Sequence, residues 1–216
     1  MKNILKVSLI LILLVSFTQA QAQAYRIEAG YTQPNRKSDN MSNRYFHGIR
    51  LGGTVDFNIP IPFVGLHTGL LYTYAFSNDM QKYPNGESLI FKTQGHYLDV
   101  PLHITGTYEI NFGIKVFAYV GPNLNVGLYQ PQKVTSTLSN AFYIDRLDKL
   151  GIREGESNLY DGDLRRFNIQ LEAGAGIQWK KLVLKGGYNF GLNDLSKKSI
   201  DKQKQGGWYT SFAVEL

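Results

Sequence analysis

The sequence contains no cysteine among its 216 residues. Disulfide bonds, thiolate nucleophiles and thiolate metal sites are therefore excluded. Runs of basic residues interleaved with aromatic residues are also missing, so the net charge of +6 is too dispersed to form a nucleic-acid-binding surface. Only 19% of the residues are charged, whereas 43% are hydrophobic. This composition predicts a folded domain and excludes a disordered chain.

Long apolar runs are absent as well, except for one near the N-terminus. Two lysines precede the apolar stretch 7–17, and small residues follow it up to Ala24. This order predicts a secretory signal peptide over residues 1–24, cleaved after Ala22 or Ala24. The stretch is shorter than the ~20 residues of a spanning helix, and no later segment is apolar enough to form one. Residues 25–216 are therefore expected to form one exported domain, and any insertion into a membrane would use strands.

Alternation of apolar and polar residues is the strongest pattern in the exported part. From Phe167 to Trp179 every second residue is apolar, and the intervening positions are polar or glycine. A helix would scatter the apolar residues around its axis, so the pattern predicts a strand with one apolar face. The segment 182–193 repeats the pattern after Lys180 and Lys181, which predicts a tight hairpin.

Similar segments recur along the chain and predict eight strands. Their strand content would be about twice that of an ordinary soluble domain, and closing the sheet into a barrel would explain the excess. Long and short connections alternate, so all long loops would lie at one end and both termini at the other. The sequence therefore predicts an all-β, eight-stranded antiparallel up-and-down transmembrane β-barrel. The predicted strands lie at about 25–33, 44–57, 64–76, 93–108, 114–129, 166–179, 182–193 and 208–216.

The charge distribution indicates which face of the barrel meets lipid. A soluble eight-stranded barrel would show the same alternation with the apolar side turned inward. The predicted strands are charged at roughly one position in ten and the connections at about three in ten, whereas water-exposed strands would carry more charge. Aromatic residues also concentrate near both strand ends, as in the girdles at two membrane interfaces. We therefore expect the apolar face to point outward and the polar face inward.

The inward charges nearly balance, and eight strands enclose just enough space for side chains to fill. We therefore expect a hydrogen-bonded plug with a structural role, and a narrow solute path is the alternative. Two further inward residues, His67 and His103, are assigned to the plug because no spacing of His, Asp and Glu indicates a metal or a cofactor. The predicted plug residues are Arg26, Glu28, Arg50, Asp56, Asp99, Lys115, Glu172 and Lys185.

A catalytic site at the outer rim is a second alternative. His47, Ser77 and His96 come near the same end of successive strands, and Asp79 follows closely. A lipid-A-modifying enzyme would need the serine within hydrogen-bond reach of a histidine that a carboxylate orients. Nothing in the spacing requires that geometry, so the expected set of catalytic residues is empty.

The long connection 130–165 is the expected site of any surface interaction, because long irregular loops are uncommon unless they are functional or disordered. Residues 139–150 within it combine apolar and charged side chains in the pattern of a short amphipathic helix. That helix would either cap the barrel mouth or bind a protein partner. The loop 194–207 carries a small excess of lysine, which favours contact with lipopolysaccharide phosphates.

Three short motifs resemble those of the PorT-like outer-membrane β-barrel domain family. They are YLDVPL at 97–102, VGPNL at 120–124 and GAGIQW at 174–179. The resemblance spans essentially the whole exported chain and implies an eight-stranded barrel in the outer membrane, with no catalytic residue. It also implies an accessory role in protein secretion as one possible function. One departure is Leu216, where outer-membrane barrels often end in an aromatic residue. The prolines of the first two motifs lie inside predicted strands, which predicts bulges there.

These observations converge on a non-enzymatic, cofactor-free barrel of the Gram-negative outer membrane with a structural or surface-interaction role through its outer loops. A monomer in contact with membrane lipid and lipopolysaccharide is expected, with no nucleic-acid partner and with 130–165 as the candidate protein-binding segment. The alternatives are a secretion accessory, a rim enzyme that modifies lipid A and a narrow channel.

Overall fold

The computed structural model of the protein describes residues 22–39, 43–83, 86–110, 112–139, 144–145, 154–197 and 202–216. The predicted signal peptide lies outside this set except for its last three residues. Most of the predicted helix 139–150 lies outside it too, although Ile144 and Asp145 are helical.

The elements are β1 (Ala22–Ser38), β2 (Arg44–Tyr45), β3 (His47–Asn58), β4 (Val64–Lys82), β5 (Ser88–Glu109), β6 (Ile114–Tyr129), β7 (Pro131–Ser136), β8 (Gly155–Asn158), α1 (Leu159–Gly162), β9 (Phe167–Trp179), β10 (Leu182–Gly191) and β11 (Gln203–Glu215). Eight of the strands form a closed antiparallel ring in the order β1, β3, β4, β5, β6, β9, β10 and β11, and the β1–β11 ladder closes it. This architecture confirms the predicted eight-stranded barrel.

The barrel turns its apolar face outward. Along β9, Phe167 and Leu171 are exposed, whereas Asn168 and Glu172 are almost completely buried. The outward residues of β4 from Leu66 to Phe76 would span about 25 Å at the usual rise and tilt of barrel strands, which matches the apolar band of an outer-membrane barrel.

Tight turns join the strands at the end where β1 begins and β11 ends, which we call the short-turn end. Non-glycine residues adopt left-handed backbone conformations in three of these turns: Phe63 (φ 67°), Phe112 (φ 62°) and Lys180 (φ 52°). The hairpin predicted at Lys180 and Lys181 is confirmed, because Trp179 pairs with Leu182 across it. A left-handed lysine there takes the conformation that glycine or asparagine usually supplies.

At the opposite end, which we call the outer end, β4 and β5 continue beyond the ring. Residues 89–93 of β5 pair with β7, and β7 pairs with β8. The parts of β4 and β5 that extend beyond the ring form a sheet with β7 and β8, which we call the outer sheet. The sequence assigned residues 130–165 to a loop, and this assignment is wrong for β7 and β8. Both strands are too short to show a clear alternation of apolar and polar residues.

The bulges predicted at the two prolines are also wrong. Pro101 pairs with Asn123 and Pro122 pairs with Leu171 in uninterrupted registers, and the shift between β5 and β6 lies at His96 and Tyr97 instead. Each proline interrupts only one of its two ladders: the β4–β5 pairing omits Pro101, and the β5–β6 pairing omits Pro122. Because proline lacks only the backbone N–H, it removes a donor on one side and leaves the register intact.

Candidate functional site

The barrel interior begins at the short-turn end with a cluster centred on Arg26. Its guanidinium forms an ion pair with Asp56 and donates to Gln178 Oε1 at 2.9 Å, with Glu215 Oε2 3.4 Å away. Asp56 also lies 2.6 Å from Nδ1 of His67. Four strands of the ring therefore meet through the arginine and its direct partners, since these lie on β1, β3, β9 and β11.

Glu28 occupies the centre of the bore and is completely buried. Lys185 Nζ lies 2.7 Å from its Oε2, and Arg50 Nε lies 3.9 Å from its Oε1. The same lysine is 3.3 Å from Nε2 of His67, which links this centre to the short-turn cluster. Charges buried at this depth require partners, because a lone ion would lose its hydration without compensation.

Glu172 is the second buried carboxylate at this level. It accepts a short hydrogen bond from the hydroxyl group of Tyr209. The guanidinium of Arg50 lies over the ring of Tyr209, 4.1 Å from the ring centroid. Tyr209 and Tyr119 share a hydroxyl–hydroxyl hydrogen bond of 2.5 Å. The imidazole of His103 lies 3.6 Å from Glu172. Aromatic and charged groups therefore fill the same cross-section of the bore.

Asp99 organises the next layer toward the outer end. It accepts hydrogen bonds from Thr73 at 2.8 Å, Asn123 at 3.1 Å and Asn125 at 2.9 Å. Asn123 also donates to Gln170 at 3.1 Å. No lysine or arginine contacts Asp99 directly among the described residues, so neutral donors from β4 and β6 solvate it.

Arg36 is an interior cation that the sequence prediction omitted. It is buried, donates to Gln205 at 2.7 Å and to Gln130 at 3.0 Å, and lies over the ring of Phe46 at 5.4 Å. The prediction ended the first strand at residue 33, whereas β1 runs to Ser38. The alternation continues through Arg36, and extending the strand would have revealed this residue.

An apolar cap covers the interior at the outer end. Leu159 and Tyr160 of α1 insert above the bore, where the Tyr160 hydroxyl group lies against Gly127 of β6. A side chain at residue 127 would overlap this ring, so glycine is required there. Arg166 stacks on Tyr160 at 4.9 Å, and Lys197 Nζ donates to the Tyr160 carbonyl oxygen at 2.9 Å. The residues of the cap are Phe46, Ala75, Tyr97, Leu159, Tyr160, Leu164 and Leu195.

Seven of the eight predicted plug residues take part in these layers, which together form the interior network. Lys115 is the exception. It lines an open vestibule of about 590 Å³ at the short-turn end, beside Arg26 and Glu215. It forms no ion pair within the part of the chain that the structure describes. Its position near the water-filled mouth explains why a partner is not required.

The residues of the hypothetical rim enzyme lie on opposite faces of the sheet. Ser77 is buried toward the bore and donates to Asp79 at 2.7 Å. His47 and His96 point outward and lie 2.5 Å from the hydroxyl groups of Tyr31 and Tyr72, respectively. A serine cannot use a histidine on the far side of its own sheet as a general base. These residues therefore do not form a catalytic triad.

The outward histidines instead belong to an aromatic row that encircles part of the outer end. Neighbouring ring centroids lie 5.1 to 6.3 Å apart along β11, β1, β3, β4, β5 and β6. Such a row is typical of the membrane interface, where amphipathic rings meet lipid headgroups. Its members include Tyr31, His47, Tyr74, Phe76, His96, Tyr129 and Trp208.

Metal-binding geometry is absent from the described residues, where no group of three His, Asp or Glu side chains converges. Within the same residues, no helix has the length and hydrophobicity to cross a membrane.

Comparison with known proteins gives a family and a set of similar solved structures. The family model described as outer membrane protein beta-barrel domain matches residues 17–197. No curated protein matches the sequence.

Three solved structures are similar to the chain at low sequence identity. Neisserial surface protein A is 12% identical, with 89% of this chain and 97% of that chain covered and a TM-score of 0.46. Ail, the attachment invasion locus protein of Yersinia pestis, solved with the heparin analogue sucrose octasulfate, is 16% identical, with 89% and 98% covered and a TM-score of 0.38. The translocator domain of the autotransporter NalP from Neisseria meningitidis is 8% identical, with 100% and 96% covered and a TM-score of 0.42.

The family match extends over most of the ring, and the inside-out distribution of polar and apolar residues agrees with it. The chain therefore belongs to the outer membrane protein beta-barrel domain family and is an outer-membrane β-barrel protein.

Proposed function

We propose that this protein is a closed, non-conducting barrel without enzymatic activity that acts at its outer end, through the outer sheet and the segment 130–165. The observation that carries the proposal is the double closure of the bore, by the interior network and by the cap. Interior voids of about 40 Å³ beside His67 and about 30 Å³ beside Arg50 have room for a few water molecules. Neither is large enough for a solute path.

Planar-bilayer recordings of the purified protein test the closure. We expect no discrete conductance steps, because charged side chains pair across the bore at several levels. Reproducible single-channel steps from the folded, heat-modifiable species would overturn the proposal and favour the narrow channel.

Orientation is tested by cysteine labelling, which the cysteine-free chain makes unambiguous. Thr135→Cys on β7 should react with a membrane-impermeant maleimide in intact cells. Lys181→Cys in the β9–β10 turn should react only after the outer membrane is opened, because short turns face the periplasm. The reverse pattern would place the outer sheet in the periplasm and contradict a role at the cell surface.

The absence of enzymatic activity rests on the separation of Ser77 from the two outward histidines. A strain that carries Ser77→Ala should give the same lipid A mass spectrum as the parent. A difference in lipid A mass between the two strains would favour the rim enzyme and contradict the proposal.

N-terminal sequencing of the mature protein should find cleavage after Ala22 or Ala24, and native mass measurement in detergent should find a monomer.

The PorT-like motifs support an accessory role in protein secretion as a second candidate function. Deletion of the gene should then retain secreted proteins in the periplasm, and normal secretion would exclude that role.

A further inference from the structure

A groove of about 720 Å³ opens on the outward side of the wall, where the outer sheet rises above the aromatic row. Tyr74, Phe76 and Tyr129 contribute an aromatic side to it. Lys92 and Lys133 lie on its polar side together with the carboxylate of Glu156, farther from the barrel than the aromatic residues, so the charged lining has a net positive charge. The groove therefore combines aromatic surface with positive charge, and it lies on the lipid-facing side of the barrel.

The two lysines lie directly opposite each other in the β5–β7 register. Like charges at such positions destabilise a sheet, so an isolated pair works against the pairing of β7. Glu156 of β8 neutralises only Lys133, at 3.2 Å. The other cross-strand neighbour of Lys92 is the uncharged Asn78, and no ion pair of Lys92 occurs in the described residues. An anion bound between the two lysines would relieve their repulsion.

The height of the groove identifies the kind of anion. The aromatic row marks the membrane interface, and apolar residues such as Leu70 cover the wall below it. A ligand at this height has its anionic group level with the headgroups and its apolar part beside the aromatic rings.

We propose that the groove binds the phosphate-bearing headgroup of an outer-leaflet glycolipid, with Lys92 and Lys133 on the phosphate and the acyl chains passing over Tyr74 and Phe76. The proposal rests on the outward placement of this end of the barrel. It deepens the proposed function by naming a lipid partner for the outer sheet. The sequence favoured such contacts at the loop 194–207, and the groove places them on a different part of the rim.

A matched control exists on the same rim. Lys37 and Lys204 also lie directly opposite each other, in the β1–β11 register, and both are exposed on the outward face. Neither lysine lines the groove. Replacing this pair removes the same charge from the same end of the protein and leaves the groove intact.

Binding is measured with nanodiscs that contain the protein, using fluorescent diphosphoryl lipid A and its fully dephosphorylated form as probes. The wild type should prefer the phosphorylated form. Lys92→Gln combined with Lys133→Gln should weaken that binding about 30-fold, as expected for two lysines near an anionic headgroup. Lys37→Gln combined with Lys204→Gln should change it less than about threefold, as expected for two exposed lysines outside the groove.

Folding is checked by the difference in gel migration between unheated and boiled samples. The groove variant should retain this difference and unfold no more easily than the wild type without lipid A, because it relieves a like-charge pair. If the variants of both lysine pairs fold and lose affinity for lipid A equally, the lipid is held by general electrostatic attraction to the protein surface. That result would overturn the proposal. Equal binding of the dephosphorylated lipid, or full competition by millimolar inorganic phosphate, would overturn it too. If the bilayer recordings show no conductance and any of these results is also obtained, the lipid site is contradicted and the proposal of a closed barrel still holds.

Discussion

The interior network and the cap close the same bore by different physical means. Within the membrane, charges meet opposite charges or hydrogen-bond donors from strands far apart in sequence, as Lys185 meets Glu28. At the outer mouth, apolar side chains such as Leu159 and Leu164 pack together instead. The first closure depends on pairing, so the loss of one member leaves an uncompensated ion. The second depends on shape, so its loss exposes only a local surface to water.

The largest effect is therefore expected from removing one charge of the network. Glu28→Ala leaves Lys185 and Arg50 without their central carboxylate and should lower the free energy of unfolding by about 3–5 kcal/mol. Urea titration of the protein in lipid measures the loss. Glu109→Ala, an exposed carboxyl group at the short-turn end, is the control and should shift stability by less than about 0.5 kcal/mol. Similar losses of unfolding free energy in the two variants would mean that the buried ion pairs contribute no more to stability than an exposed carboxyl group does.

A smaller and local effect is expected from disturbing the cap. In Gly127→Ala the added methyl group would overlap the ring of Tyr160, at a cost of about 1–3 kcal/mol. Because the cap can lift without opening the ring of strands, hydrogen exchange at residues 159–166 should accelerate while the global unfolding midpoint changes little. Gly106→Ala is the matched control, since a methyl group there meets open space. Unchanged exchange at the cap would show that Tyr160 can move aside freely.

Alkaline pH should loosen the cap. Burial raises the pKa of Tyr160 in the folded protein. A group with a raised pKa contributes its full stability below the unfolded value, about 10 for tyrosine, and loses it as the pH rises further. Trypsin cleavage next to Arg165 should therefore accelerate above pH 10 in the wild type. Tyr160→Phe should flatten this pH dependence, and an identical profile in both proteins would contradict the assignment.

The smallest effect is expected at an exposed carboxyl group next to the outer sheet, in the connection between β4 and β5. Glu87 accepts hydrogen bonds from the backbone N–H and the hydroxyl group of Ser139, and these bonds lower the pKa of Glu87 below its usual 4.5. A lowered pKa means that the stabilising effect is present above the unfolded value and is lost as the pH falls through the folded one. The protection of the Ser139 amide against exchange, relative to its intrinsic rate at each pH, should therefore fall under acid, whereas Glu87→Gln should show low protection at neutral pH as well.

Much of the barrel was predictable because strand alternation is a local property. The period of two in 167–179 assigned Gln170 and Glu172 to the bore before any contact was known, and the structure places both there. Strand ends were less predictable. Arg36 was missed because β1 passes its turn-like Pro34 and Asn35, where pairing with β11 and with the short β2 maintains the strand.

Partners across the bore could not be read from the chain. Arg26 and Glu215 stand at opposite ends of the ring sequence, and only closure of β1 on β11 brings them together. The same holds for the outward lysines, since Lys92 and Lys133 become neighbours only when β7 joins β5.

The sequence by itself determined the class of protein, the inside-out polarity of its wall and the identity of most interior charges. These features follow from composition and from the two-residue period, which are independent of long-range contacts. Only the tertiary structure decided which charges pair, that an apolar cap covers the outer mouth, and that the long connection 130–165 contributes two strands and α1. Pairing and capping join residues far apart in the chain, and their free energy depends on distances that no local pattern encodes.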